Sequence, residues 1–263
     1  MRLATWNINS VRLRQELIER LAAEQNPDVI CLQETKATDD VFPRKAFAAL
    51  GYAHQHIHGM KSYNGVAILS RLPLTVTGLQ HWQGREDRRH IFATLPNGIE
   101  LHCCYVPAGG DVPDPATNPK FAHKLGFLDE MAAWWKNRKD RDAPKILVGD
   151  LNVAPLEQDV WSHRQMIDVV SHTPIEIEKF TAWQKAHRWI DAVRHFTPPE
   201  EKLFSWWSYR ARDWAASNRG RRLDHIWVTP NLMPALQSAQ TLRAARDWGP
   251  KPSDHVPVLV DLG

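Results

Sequence analysis

Short apolar runs recur along this chain, and nearly every one breaks off at an amide, a carboxylate, a phenol or an imidazole. That pattern constrains the fold more than any other feature. Runs of strand length that are apolar on both faces belong inside a sheet, so the polar residues that end them collect at strand termini. The sharpest case is Lys145-Ile146-Leu147-Val148-Gly149-Asp150-Leu151-Asn152-Val153-Ala154-Pro155. Residues 146–148 read as a buried strand, Gly149 breaks it, and Pro155 stops any continuation. Asp150 and Asn152 stand one residue apart, and in an extended segment residues i and i+2 share a face. An oxygen that can hold a proton or a cation, beside a donor that can hold an anion, is what phosphodiester hydrolysis needs. Taken alone, the stretch equally describes an Asp/Asn turn closing a strand.

The other runs repeat the arrangement. Residues 2–6 form a first strand ending at Asn7, and residues 11–23 read as a helix with Leu13, Leu17 and Leu21 at i+4 steps. Asn9 or Ser10 would cap that helix, leaving the Asn7 amide free. Residues 29–32 are an interior strand followed by Gln33-Glu34. Glu34 is then either a solvated loop carboxylate or, with Asp150, an oxygen ligand for a hard divalent cation. Asn64-Gly65 leads into the buried run 66–70. Residues 90–94 and 99–105 pair across Pro96-Asn97-Gly98 and put the Tyr105 phenol at a strand end. Residues 120–138 form an amphipathic helix whose Phe121, Leu125, Leu128, Ala132 and Trp135 face the core, and residues 160–195 read as mainly helical with a break near Thr173-Pro174.

Two late segments carry the rest of the chemistry. Phe204, Trp206, Trp207, Tyr209, Arg210, Arg212 and Trp214, followed by Arg219, Arg221 and Arg222, interleave aromatic and basic side chains. Such a patch suits phosphate contacts plus stacking on bases; the alternative is a core strand with an exposed basic edge, which explains the arginines less well. Asp224 opens the strand run 224–229, and Asp254-His255 precedes another at 256–260. A His at a strand start is usually a surface residue, but Asp224 or Asp254 can orient this one for acid/base work or phosphate contact.

No linker, repeat or low-complexity block divides the 263 residues, so one domain spanning 1–263 is expected. Strands with flanking helices imply an α/β sandwich with helices outside. The chain starts without a signal-like segment, has no run of membrane-spanning length, and carries an odd set of cysteines (Cys31, Cys103, Cys104) in apolar runs; the expectation is a cytoplasmic protein with reduced thiols and no membrane association. A net charge of +3 permits a polyanionic partner without requiring one.

Together these residues resemble the exonuclease III/AP endonuclease family of the endonuclease/exonuclease/phosphatase superfamily. Residues 27–36, Pro-Asp-Val-Ile-Cys-Leu-Gln-Glu-Thr-Lys, match the family's metal-ligand motif. Residues 218–229 resemble its late motif, with Thr229 where Ser is usual. Gly149-Asp150-Leu151-Asn152 and Ser253-Asp254-His255 are similar to two further blocks, and residues 105–110 and 118–125 resemble the bacterial exodeoxyribonuclease III branch. The resemblance covers nearly the whole chain. It implies a four-layer α/β sandwich like that of deoxyribonuclease I, with two mixed β-sheets packed face to face and helices outside. It also implies Mg²⁺, replaceable by Mn²⁺, and a monomer acting on double-stranded DNA with abasic sites, nicks or 3′ blocking groups in the bacterial cytosol or nucleoid. The implied activities are 3′–5′ exonuclease, 3′-phosphatase or phosphodiesterase, and incision 5′ to abasic sites.

Carried over residue by residue, the implied metal set is Asn7, Glu34, Asp150, Asn152, Asp254 and His255. The catalytic set is Tyr105, Asp150, Asn152, Asp224 and His255, with Asp150 acting on the water, His255 on the scissile phosphate and Tyr105 at the phosphate or leaving oxygen; the division of proton transfers among these three stays open. The implied DNA contacts are Arg85, Trp206, Tyr209, Arg210, Arg221 and Leu223. Arg221 stands where many abasic-site enzymes carry Trp or another apolar residue, and Ala108 and Gly109 replace a polar residue often found after the Tyr-x-Pro turn. The same superfamily chemistry on an inositol phosphate or a sphingolipid is the nearest rival reading, and a catalytically dead DNA-binding module is the second. The first lacks a use for the basic aromatic patch; the second would have lost part of a set that is here complete.

Overall fold

The computed structural model describes residues 1–263. Its strands are β1 (Arg2–Asn7), β2 (Val29–Gln33), β3 (His54–His58), β4 (Val66–Ser70), β5 (Thr75–Leu79), β6 (His90–Thr94), β7 (Glu100–Tyr105), β8 (Lys145–Asp150), β9 (Ile190–Asp191), β10 (Trp206–Trp207), β11 (Gly220–Arg221), β12 (Asp224–Val228), β13 (Leu236–Thr241) and β14 (Val258–Leu262). One six-stranded sheet runs β13-β14-β1-β2-β4-β3 and the other β5-β6-β7-β8-β12-β9; β10 and β11 form a separate ribbon. Each six-stranded sheet is mixed, with β1–β2 and β7–β8 parallel. The helices are α1 (Gln15–Gln25), α2 (Arg44–Ala49), α3 (Pro119–Lys136), α4 (His163–Met166), α5 (Pro174–Ala186), α6 (Ala192–Phe196) and α7 (Trp214–Ser217). None is long and apolar enough to cross a membrane.

Strand alternation builds the layers. Leu3, Val29, Cys31 and Ile68 of the first sheet meet Leu101, Cys103, Ile146, Val148, Ile226 and Val228 of the second in one apolar cluster. Residues of opposite parity, Trp6, Ile30 and Leu32, face outward and pack with Ile18 and Leu21 of α1 and Phe47 of α2. On the other side Leu147 and Trp227 pack with Phe127, Leu128 and Trp135 of α3 and with Phe180 and Trp183 of α5. The result is the four-layer α/β sandwich. Burying each such side chain contributes about 1.5–3 kcal/mol relative to exposure.

The same alternation places the polar strand ends. The inward series Leu3-Thr5-Asn7, Leu101-Cys103-Tyr105, Ile146-Val148-Asp150 and Val228-Ile226-Asp224 each carry a polar residue to one rim between the sheets. Register aligns three of them, because Asp150 pairs with Tyr105 across the parallel β7–β8 ladder and with Asp224 across the antiparallel β8–β12 ladder.

Several local expectations need correction. Gly149 does not break its strand: it lies inside β8 at φ 146°, where a Cβ would sit 1.8 Å from the Cys104 carbonyl oxygen. Only glycine lets β8 approach β7 this closely. Asn152 lies beyond the strand at φ 52°, so it meets Asp150 through a left-handed turn and not through strand periodicity. Helix α1 starts at Gln15, with neither Asn9 nor Ser10 capping it; both have positive φ and belong to a loop. Leu13 is exposed, and Ile18, Leu21 and Ala22 form the buried stripe. Residues 160–195 hold three separate helices and strand β9. Thr173-Pro174 begins α5, with Thr173 and Glu176 making a reciprocal cap. Strands β3 and β5 have polar, partly exposed sequences without an apolar run, so nothing local marks them as strands.

Candidate active site

The rim between the sheets opens into a cavity of about 640 Å³. Glu34, Tyr105, Asp150, Asn152, Asp254 and His255 line it, together with Trp206, Arg210, Arg219, Arg221 and Leu223. Chain segments separated by more than two hundred residues thus converge on one hollow.

Asn7 lies behind the cavity, fully buried, and its Nδ2 donates at 2.9 Å to both Glu34 Oε1 and Asp150 Oδ2. One amide therefore ties the two carboxylates from opposite sheets. Glu34, at φ 50° just past β2, also accepts from the Tyr105 hydroxyl at 2.8 Å and pairs with Lys36 Nζ at 2.7 Å. Burial would raise its carboxyl pKa, but the Lys36 charge and these hydrogen bonds outweigh that and hold it lowered, hence ionised. Tyr105 shifts the opposite way: burial, then the negative charges of Glu34 and Asp150, push it well above the ordinary phenol value, so it remains a proton donor.

Asp150 accepts from the Asn152 backbone N–H at 3.1 Å and from Asn152 Nδ2 at 3.2 Å, and that Nδ2 also donates to the Val106 carbonyl at 2.8 Å. Burial raises the Asp150 carboxyl, against the opposing charge of His255. His255 Nδ1 donates to Asp224 Oδ2 at 2.8 Å, and its Nε2 stands 3.7 Å from Asp150 Oδ2. Burial alone would depress the imidazole, but Asp224 and then Asp150 overcome it and push His255 up to about 10. Of the two aspartates that sequence offered as its orienting group, Asp224 is the partner. Asp254 accepts instead from Asn9 Nδ2 at 3.1 Å and Trp206 Nε1 at 2.9 Å. Asp224 does not line the cavity; it is held behind His255 by the Ser205 hydroxyl at 2.6 Å.

Three supporting residues were misread or passed over. Asn9, read as a helix cap, accepts from Lys36 Nζ at 2.6 Å and links it to Asp254. Ser205 and Ser253 clamp Asp224 and the Asn7 carbonyl. Ser253 belongs to the Ser253-Asp254-His255 block, whereas no local pattern marks Ser205. Among the expected DNA contacts, Trp206, Arg210, Arg221 and Leu223 share the cavity, whereas Arg85 lines an adjoining one of about 520 Å³ that meets it at Tyr105. Tyr209 points its hydroxyl at the Pro252 carbonyl and lines neither. The basic patch is also smaller than its sequence suggests. Phe204 and Trp207 belong to the core, and Arg222 is buried against Asp159 and Asp191.

A family profile for the endonuclease/exonuclease/phosphatase family matches residues 4–255. The chain belongs to that family. It is 30% identical over 275 residues to exodeoxyribonuclease III of Haemophilus influenzae, with each chain covered completely. An AP endonuclease structure from Archaeoglobus fulgidus superposes with a TM-score of 0.89 at 30% identity, covering 100% of this chain and 99% of that one. A Neisseria 3′ phosphatase bound to a product DNA hairpin gives 0.91 at 28% identity with the same coverage. Family membership makes the chain a hydrolase of the nuclease/phosphatase kind.

Proposed function

We propose that the chain is a Mg²⁺-dependent DNA-repair nuclease that hydrolyses phosphoesters at the 3′ ends of duplex DNA and beside abasic sites. The observation that carries this reading is one cavity in which two carboxylates from opposite sheets share a single amide donor, beside an imidazolium and three guanidinium groups. The similarity to the exodeoxyribonuclease III of Haemophilus influenzae and to the DNA-bound Neisseria 3′ phosphatase supports DNA over an inositol phosphate or a lipid.

The donors suit a hard cation. Glu34 and Asp150 present carboxylate oxygens, and Glu34 is held ionised. These two would hold Mg²⁺ or Mn²⁺, with the Asn7 Nδ2 fixing both carboxylates from behind, and the ion when bound neutralises phosphate charge and lowers the pKa of its water. His255, protonated and with Nδ1 committed to Asp224, has no lone pair for a metal and offers its Nε2 proton to a phosphate oxygen instead. Asp150 accepts the proton of the attacking water, and the Asn152 amide fixes that carboxylate. Tyr105 keeps its phenolic proton and orients Glu34. The protein would work as a cytoplasmic monomer.

Arg221 bears on lesion choice. Its Nη1 donates at 3.0 Å to both the Val170 carbonyl and Ser171 Oγ, the guanidinium lies 5.0 Å from the Trp206 ring centre, and its buried Nε has no protein partner. A fixed cation in the cavity wall favours an anionic 3′ terminus over a bare sugar. In Arg221→Trp, abasic-site incision relative to 3′-end removal should rise about tenfold, the scale of a single apolar pocket contact. Steady-state assays on paired substrates measure it; an unchanged ratio removes Arg221 from lesion choice.

The reading itself is tested with three labelled duplexes carrying an internal abasic site, a 3′-phosphate at a nick, or a plain recessed 3′ end, each with Mg²⁺ or with EDTA. Cleavage should require the metal, with the 3′-phosphate removed fastest. Inert duplexes alongside hydrolysed inositol or lipid phosphates would transfer the site to the rival chemistry.

A further inference from the structure

The segment that carries Asp150 and Asn152 dives into the protein after β8. Residues 151–154 are all buried, and no strand takes up the carbonyls of Asn152, Val153 and Ala154. Three side chains from three different places do so. Lys124 Nζ donates to the Asn152 carbonyl at 2.7 Å, His225 Nε2 meets the Val153 carbonyl at 2.8 Å, and His172 Nδ1 meets the Ala154 carbonyl at 2.6 Å.

Lys124 differs from the two imidazoles in bringing a long-stemmed ammonium into the fully buried layer beneath the site. Its second acceptor is the Ala108 carbonyl at 3.3 Å, in the turn that follows Tyr105. That turn wraps the lysine stem closely: a Cβ at Gly109, whose φ is 91°, would lie 2.9 Å from Lys124 Cδ. The counter-ion is Glu176 on α5, also wholly buried, and its carboxylate further accepts from the backbone N–H groups of Ser171 and Thr173 and from the Thr173 hydroxyl. Ser171 in turn holds Arg221. A single ion pair thus connects the turn after Tyr105, the backbone of Asn152 and the loop that anchors the cavity wall.

We infer that Lys124 is a positioning residue for DNA hydrolysis: its ammonium pins the Asn152 carbonyl and so holds the Asn152 carboxamide against Asp150. This rests on the proposed nuclease reading. Asn152 sits at φ 52°, a conformation that a non-glycine residue keeps only when its surroundings impose it. Its N–H is committed to Asp150, its Nδ2 to Asp150 and Val106, and its carbonyl to Lys124. Of these partners Lys124 alone is a cation, and its ammonium gives the Asn152 carbonyl a charge-assisted bond. Loss of that bond frees the peptide plane after Asn152 to rotate, and the carboxamide turns away from Asp150 with it.

Lys124→Met alone strands a buried carboxylate and can unfold the protein, so the deciding variant is Lys124→Met combined with Glu176→Gln. Replacing both members of a buried pair by neutral groups of similar volume is often tolerated. On a nicked 3′-phosphate duplex with saturating Mg²⁺, the double variant should show kcat reduced about 10- to 100-fold, the scale of losing a group that orients a site ligand. KM should stay within about twofold, because both side chains are fully buried and Glu176→Gln keeps an acceptor for the Ser171 and Thr173 N–H groups of the loop that holds Arg221. A general loss of packing would move kcat and KM together. The double variant turning over at the wild-type kcat would overturn the inference. The side-chain amide resonances of Asn152, assigned with Asn152→Asp, give a second readout without turnover: they should shift in the double variant, and unchanged resonances would also overturn it. A wild-type protein inert on DNA sinks the nuclease reading, while the resonances still decide whether Lys124 positions Asn152.

Discussion

In Asp150→Asn, DNA hydrolysis should fall by about 10³-fold or more, the scale of losing a general base together with a carboxylate that holds a cation. The substitution preserves volume and changes one oxygen to a donor. Every hydrogen bond to the Asp150 carboxylate comes from Asn7 Nδ2 or one of the two nitrogens of Asn152. An amide at position 150 must therefore aim its NH₂ at another N–H, which loosens Asn7 and Asn152 as well as removing the negative charge. DNA affinity should persist, since Arg210, Arg219, Arg221 and Trp206 line the cavity independently of this carboxylate. Single-turnover rates and fluorescence anisotropy on the same duplex separate the two effects. Turnover within about tenfold of wild type would remove Asp150 from proton transfer, since general-base catalysis contributes at least about 10²-fold.

Loss of His255 is the second large effect expected. His255→Ala should lower kcat by about 10²- to 10³-fold, the range for deleting one donor aimed at developing oxyanion charge. It removes the only cation standing between Asp150 and Asp224, leaving two buried carboxylates without their shared counter-charge. A stability signature accompanies it. The folded-state pKa of His255 is raised from 6.5 to about 10, so its charge stabilises the fold fully below 6.5, and that contribution is lost as pH rises through about 10. The wild type should therefore melt above His255→Ala at pH 7, and the gap should narrow as pH approaches 10. A gap independent of pH would mean that the histidine matters by packing alone. Asp224→Asn keeps the ring's hydrogen-bond partner but removes the charge; its melting gap should narrow in the same pH interval.

The layers were legible before the tertiary structure because alternation is a local property. A β-branched or apolar run such as residues 29–32 or 146–148 declares a buried strand wherever it sits, and its last residue inherits a face from those before it. Asn7, Glu34, Tyr105, Asp150, Asp224, Asp254 and His255 could thus be named as residues at strand ends from sequence, and the family resemblance assigned them roles. Turns were read less well: Gly149 and Asn152 have positive φ for reasons that lie in β7 and α3, not in their neighbours.

Sequence by itself determined which residues end the buried strands and which chemical groups those ends carry. Only the tertiary structure decided how the groups are coupled. Asn9 bonds Asp254 across 245 positions, Asn7 bridges carboxylates of two sheets, and Asp224 rather than Asp254 takes the His255 proton donor. It equally decided that Arg222 is an internal counter-ion and that Lys124, the charged residue on the buried face of an amphipathic helix, lies under the site. Hydrogen bonds and ion pairs act over about 3 Å, so their partners are set by how sheets and helices pack, a relation that no short stretch of sequence contains.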